Sequence, residues 1–219
     1  MKERGGARGG AGEGQPKRVL PLLTDLIFVS IAVYQLLGNA RLLLISSVTP
    51  VFLLREIFLI LYLLTALVLL GLRNSAKVFS GKKADYAYTI LGFSSPLFFQ
   101  ATPNESPFFV GATFEFIGLA FVVGAFLSLN RSFGLAPENR GVKTRGVYRS
   151  VRHPMYLGYI LAEVGYVCNN ISYLNIFILA ISLLFLLLRL RAEEQLLQRD
   201  QDYREYAEKT RWRLLPGVY

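Results

Sequence analysis

Six apolar runs alternate with short polar stretches along the chain, at Val19–Leu37, Phe52–Leu72, about Tyr86–Ala101, Phe108–Leu129, Met155–Cys168 and Tyr173–Leu190. A helix needs roughly 20 residues to cross a ~30 Å hydrocarbon core, which most of these runs approach. The fifth run is shorter, so it tilts or starts within the headgroup layer. A further apolar patch, Leu42–Val48, lies between the first two runs. Thr102-Pro103-Asn104-Glu105-Ser106-Pro107 is rich in helix breakers, and Asn169-Asn170-Ile171-Ser172 reads as a tight turn. The pattern predicts an all-α, polytopic membrane protein with about six transmembrane helices. Its last two spans form a hairpin that brings residue 153 and residues 189–194 to one side.

Composition and charge orient this layout. Of the 219 residues, 53% are hydrophobic, too many for an ordinary soluble domain. The net charge is +9, and 22 of the 24 Lys and Arg residues fall in the tail, at 73–83, at 131–152 and at 189–213; only Arg41 and Arg55 lie elsewhere. Positive charge gathers on the cytoplasmic side of membrane proteins, so both termini are expected there and no nucleic-acid partner is implied. One cysteine (Cys168) and one histidine exclude an internal disulfide and leave no metal site. Residues 1–18, rich in Gly, Ala and Arg, read as a flexible tail. Residues 19–130 read as a four-helix membrane region. Residues 131–219 combine a basic loop, the helical hairpin and a cytoplasmic C-terminal helix into a second region. In residues 189–213, Leu196, Tyr203 and Tyr206 form one apolar stripe on a mixed-charge helix. Trp212, between Arg211 and Arg213, suits an interfacial anchor.

The candidate chemistry centres on Gly146-Val147-Tyr148-Arg149-Ser150-Val151-Arg152-His153-Pro154-Met155-Tyr156-Leu157-Gly158. Pro154 suits the first position of a helix, and His153 would stand beside unpaired backbone donors that favour an anionic group. The plainer alternative is a structural histidine capping a helix. Arg189 and Glu193 are four apart and share a helix face, which also describes an ordinary ion pair. Asp25, Glu115 and Glu163 lie within expected spans, where charge is expensive and faces the interior. Glu163 is two turns beyond Tyr156, a position for lining an interior cavity. Asp25 suits pairing near the cytoplasmic surface, and Glu115 a structural role. Gly111, Gly118 and Gly124 on the fourth segment would allow close helix approach. No Gly-rich loop of the Rossmann or P-loop kind is present.

The Gly-Val-Tyr and Arg-His-Pro-x-Tyr-x-Gly wording, with Arg189-x-x-x-Glu193-Glu194 and Tyr203-x-x-Tyr206, resembles the isoprenylcysteine carboxyl methyltransferase family of membrane enzymes. The resemblance covers about residues 128–216. It implies S-adenosylmethionine as cofactor, lined by Arg140, Gly141, Val142, Lys143, Tyr148, His153, Pro154, Met155 and Tyr156, with Glu193 near its ammonium. It further implies that Arg189 meets the acidic end of the acceptor, with Glu194 as a second catalytic candidate. Glu163 joins Arg189 on the substrate side.

The resulting expectation is an integral membrane methyltransferase with a cytoplasm-facing site, most consistent with O-methylation of a prenylcysteine-type carboxylate on a lipophilic acceptor. Phospholipid N-methylation or small-thiol S-methylation is the alternative. A membrane sterol-type reductase using NADPH and a non-enzymatic membrane binding protein remain further alternatives. In-line methyl transfer needs alignment and exclusion of water more than acid–base machinery, in keeping with the absence of a Ser–His–Asp set.

Overall fold

The computed structural model describes residues 19–45, 50–100, 102 and 109–218. The expected tail and most of the breaker-rich turn lie outside them, as does part of the Leu42–Val48 patch. Seven α-helices occur among the described residues: α1 (Val19–Ile45), α2 (Pro50–Leu72), α3 (Lys83–Ser94), α4 (Phe109–Leu129), α5 (Pro154–Asn169), α6 (Tyr173–Leu197) and α7 (Gln201–Lys209). A two-residue antiparallel ladder pairs β1 (Val78–Phe79) with β2 (Glu138–Asn139).

Helices α1–α6 follow the order of the six apolar runs, with instructive differences in length. Within the described residues, Val19–Gly38, Phe109–Ser132 and Tyr173–Leu197 are long and apolar enough to cross a bilayer, with a shorter apolar stretch at Leu63–Leu72. The first helix runs on to Ile45 because Ala40-Arg41-Leu42-Leu43-Leu44 are good helix formers and no proline intervenes. The third begins earlier than expected and stops at Ser94, giving way to a 3-10 turn over Ser95–Phe98. Pro96 accounts for the stop, since its ring removes an N–H and disfavours helix at the residue before it. Helix α6 continues seven residues past its expected end to Leu197. The expected continuous extension is instead broken at 198–200, where the Asp200 side chain accepts from the Asp202 N–H and starts α7.

The tightest packing joins α4 to α5, which run antiparallel, and glycine explains it. A Cβ on Gly118 would lie 2.5 Å from Ala162 N and 2.6 Å from Gly158 O, and one on Gly165 would lie 2.5 Å from Gly111 O. The two backbones therefore touch directly. Gly111 and Gly118 work as expected, but Gly124 does not, since its Cβ would meet only the Val147 side chain at 3.4 Å. Gly118→Ala is thus expected to destabilise the protein by about 1–3 kcal/mol, the usual cost of overpacking, with Gly124→Ala near neutral. Thermal unfolding of the two variants in detergent checks the contrast.

At one end of the bundle a polar clamp closes the turns. The Asn175 amide donates to the carbonyls of Gln100 (2.8 Å) and Asn170 (2.6 Å), and Asn169 donates to Glu115 (3.0 Å). Ser172 caps α6 by accepting from the Asn175 N–H. At the other end the basic loops converge. Arg73 donates to both carboxylate oxygens of Asp25, which matches the pairing expected for that acid. Asn74 N–H bonds to Arg131 O at 2.7 Å, and the β1–β2 ladder ties residues 73–82 to the loop after α4.

Candidate active site

The loop after α4 is shaped by backbone that few residues tolerate. Asn130 turns the chain with φ 48°, and Gly146 has φ 63° while pressed against Ser128, so a Cβ there would be both strained and blocked. Glu138 is clamped by the Arg140 guanidinium through two 2.9 Å bonds. Burial outweighs that pairing and holds the Glu138 carboxyl above the usual carboxylate range. Asn139 donates to Asp200 at 2.6 Å and accepts from Gly141 N–H at 2.9 Å. The loop is thereby fixed to the corner between α6 and α7.

Pro154 starts α5 as the sequence implies, with His153 at the N-cap position. The imidazole does not cap the helix. Its Nε2 lies 2.7 Å from Glu194 Oε1, across the hairpin. Glu194 is the hub of this region. Arg152 donates Nε and Nη2 to its two oxygens at 3.0 and 3.1 Å, and Tyr203 O–H donates to Oε1 at 2.6 Å. Arg152 also reaches forward, giving Nη1 to the carbonyls of Thr210 and Arg211 at 3.2 Å. The backbone N–H groups of Arg152 and His153 bond to Trp212 O and Arg213 O. Tyr206 donates to Tyr148 O at 2.6 Å. Burial pushes the Tyr206 phenol up to about 12, and burial with the Glu194 carboxylate pushes Tyr203 higher still. Both therefore stay protonated donors at any physiological pH.

These contacts fold the C-terminal segment over a cavity. It is walled by the loop after α4, by Tyr148, His153, Met155 and Tyr156, by Arg189 and Glu193 of α6, and by Tyr203 and Tyr206 of α7. The Tyr156 O–H donates to Glu193 Oε2 at 2.5 Å. A second, more apolar cavity of about 160 Å³ lies between the helices, lined by Phe93, Leu119, Tyr159, Glu163 and Leu186 among others. Arg189 lines both cavities. It is 4% exposed, with its guanidinium carbon 4.6 Å from the centre of the Phe93 ring and 5.1 Å from that of Tyr156. Its Nε has no hydrogen-bond partner.

Residues 116–199 match the model of the isoprenylcysteine carboxyl methyltransferase family. This part of the chain is similar to that family. The match runs from within α4 through the loop and the hairpin to the α6–α7 corner, and supports a membrane methyltransferase. No curated protein matches the chain.

The residues that the resemblance assigned to the methyltransferase cofactor come together almost completely. Arg140, Gly141, Val142, Lys143, Tyr148, His153, Met155, Tyr156 and Glu193 all line the first cavity. Pro154 does not; it is fully buried beneath it. Glu194 is also outside the lining, because its oxygens are engaged by Arg152, His153 and Tyr203. Through these bonds Glu194 holds Arg152, His153 and Tyr203 in place. The plainer reading of Arg189 and Glu193 as an ion pair does not hold among the described residues: Arg189 lies against two aromatic faces and Glu193 receives Tyr156. The sequence alone assigns no role to Arg152, Glu138 or Phe93. Arg152 could have been suspected from its place beside His153. Glu138 and Phe93 carry no local signal, since only the tertiary fold brings them to the site.

Proposed function

We propose that the protein is an S-adenosylmethionine-dependent methyltransferase that esterifies the carboxylate of a lipophilic, prenylcysteine-type acceptor, with its site facing the cytoplasm. The observation that carries this reading is Arg189, a buried guanidinium at the wall shared by a polar cavity and an apolar one, with no carboxylate partner among the described residues. A buried cation without a counter-ion is costly, so a ligand anion is its natural partner, and the planar fork suits a carboxylate. The ring faces of Phe93 and Tyr156 support the cation until then. A neutral amine or a small thiol gains little from such a group.

The donor set of the first cavity fits the cofactor. Glu193 has one oxygen free of Tyr156 for an ammonium, and Lys143 has no acidic partner among the described residues and suits a carboxylate. Tyr148 and Met155 supply aromatic and apolar wall. When bound, S-adenosylmethionine supplies an electrophilic methyl group on a sulfonium. The protein's own part is to orient the acceptor carboxylate through Arg189, to keep water out with the C-terminal cover, and to hold the two cavities in register. A carboxylate is already deprotonated at neutral pH, so no general base is required, in line with Glu194 being fully engaged elsewhere.

The gathering of 17 of the 24 basic residues, at 73–83, 131–152 and 189–213, toward the end that holds the first cavity supports the cytoplasmic orientation. The chemistry is tested by offering the purified protein matched carboxylate and thiol acceptors with S-adenosylmethionine carrying a labelled methyl group. The expected product is a base-labile methyl ester; a base-stable thioether as the sole product would overturn the acceptor assignment. For the cofactor, Glu193→Gln should weaken S-adenosylmethionine by about tenfold to a hundredfold, the equivalent of ~1.5–3 kcal/mol for a charge-assisted contact. Unchanged affinity in the folded variant would remove Glu193 from the site.

A further inference from the structure

The exposed face of α6 changes character along its length. Phe177, Leu184 and Leu187 stand on it at helical spacing, and Arg191 and Gln195 continue the same face, with Gln198 at the helix end. The helix is long and apolar enough to cross a bilayer. The step from Leu187 to Arg191, a rise of about 6 Å, therefore marks its passage from hydrocarbon into the headgroup layer.

At that level the C-terminal segment folds back against α6 and leaves an open groove of about 700 Å³, lined by Leu190, Arg191, Glu194, Gln195, Gln198 and Arg213. The groove shares no lining residue with either cavity of the candidate active site, and methyl transfer has no use for it. Its chemistry suits an anion. Two guanidiniums converge there from separate segments, and two glutamine amides add donors. The acid in the lining, Glu194, is already met by Arg152 at 3.0 and 3.1 Å, with Arg213 Nε at 3.5 Å. Next to Arg213 in the chain, Trp212 and Leu215 are exposed. Basic residues interleaved with exposed apolar ones at the headgroup level fit an anionic lipid surface.

We infer that this groove seats the headgroup of an anionic phospholipid, its phosphate between Arg191 and Arg213 and its acyl chains along Leu187 and Leu184. A phosphatidylcholine headgroup fits less well, because its quaternary ammonium meets the same two cations. The lipid thereby holds the C-terminal cover from outside, where Trp212 lies in the interface. From inside, the same segment is held by the Arg152 and His153 N–H groups, which bond to Trp212 O and Arg213 O at 2.9 and 2.8 Å. The inference is independent of the reaction proposed above.

Trp212 is the chain's only tryptophan, so its fluorescence reports on this place alone. The full chain is placed in phosphatidylcholine bilayers doped with a lipid whose brominated acyl chains quench indole on contact, either phosphatidylglycerol or phosphatidylcholine. Brominated phosphatidylglycerol should quench with an apparent affinity about fivefold higher, the worth of one basic residue at an anionic surface. Arg191→Glu should abolish that preference, and Arg191→Lys, which keeps the charge, should retain it. Arg211→Glu makes the same charge change on an exposed residue outside the groove and should leave the preference intact. Equal quenching by the two lipids in the wild type would overturn the inference, as would a preference that survives in Arg191→Glu. A loss as large in Arg211→Glu would also overturn it, by showing diffuse attraction to a basic face in place of a seat. Loss of the preference on adding inorganic phosphate at constant ionic strength would make the groove a site for soluble phosphate and overturn the lipid assignment.

Discussion

Glu194→Ala should destabilise the protein by about 3–5 kcal/mol, the scale for removing one partner of a buried ion pair. The Arg152 guanidinium, 8% exposed, would be left buried with only backbone carbonyls to receive it, and Tyr203 and His153 would each lose their acceptor. Arg152 and Tyr203 also hold the C-terminal segment over the first cavity. The damage should therefore show twice: as a lowered thermal unfolding midpoint in detergent and as weakened cofactor binding in whatever protein remains folded. Glu193→Ala provides the contrast. Among the described residues its carboxylate receives a single hydrogen bond, from Tyr156, so the substitution should lower cofactor affinity with little change in unfolding. Equal stability losses in the two variants would contradict the division of labour between neighbouring glutamates.

Arg189→Lys should reduce methyl-ester formation by about a hundredfold, the lower end of what one well-placed donor to a reacting group is worth. Lysine keeps the positive charge but loses the planar fork and its stacking on two rings. Because Arg189 makes no ion pair with Glu193 among the described residues, the substitution should leave cofactor affinity within about twofold, well inside the ~1.4 kcal/mol of a tenfold change. That separation of turnover from cofactor binding distinguishes an acceptor clamp from a structural residue. A matching fall in cofactor affinity would assign Arg189 to the wall of the first cavity instead.

The order of helices was legible in the sequence because apolar runs of this length have few other uses. The hairpin was legible too, since Asn169-Asn170-Ile171-Ser172 leaves too little chain for any other connection. Helix ends were not, because Pro96 and the Gln198–Asp200 break act through local backbone geometry inside otherwise helical composition. Most of the first cavity's lining was legible through the family resemblance, in the stretch 146–158, at 140–143 and at Glu193. The fate of Glu194 was not, because its partners Arg152 and Tyr203 come from either side of it in sequence and meet it only after the hairpin closes. The same holds for Arg189, which spacing paired with Glu193 and the fold turned toward Phe93 instead. Of the glycines, spacing could not tell Gly118, which touches a helix backbone, from Gly124, which faces a side chain.

The central claim is that the cavity under the C-terminal cover takes S-adenosylmethionine. Calorimetric titration of the detergent-purified full chain with S-adenosylmethionine and, separately, with NADPH tests it most directly. The account predicts saturable, one-site binding of S-adenosylmethionine and no heat with NADPH. Binding of NADPH alone would make the protein a reductase on the same framework, and binding of neither would leave a membrane protein that keeps the fold without the chemistry.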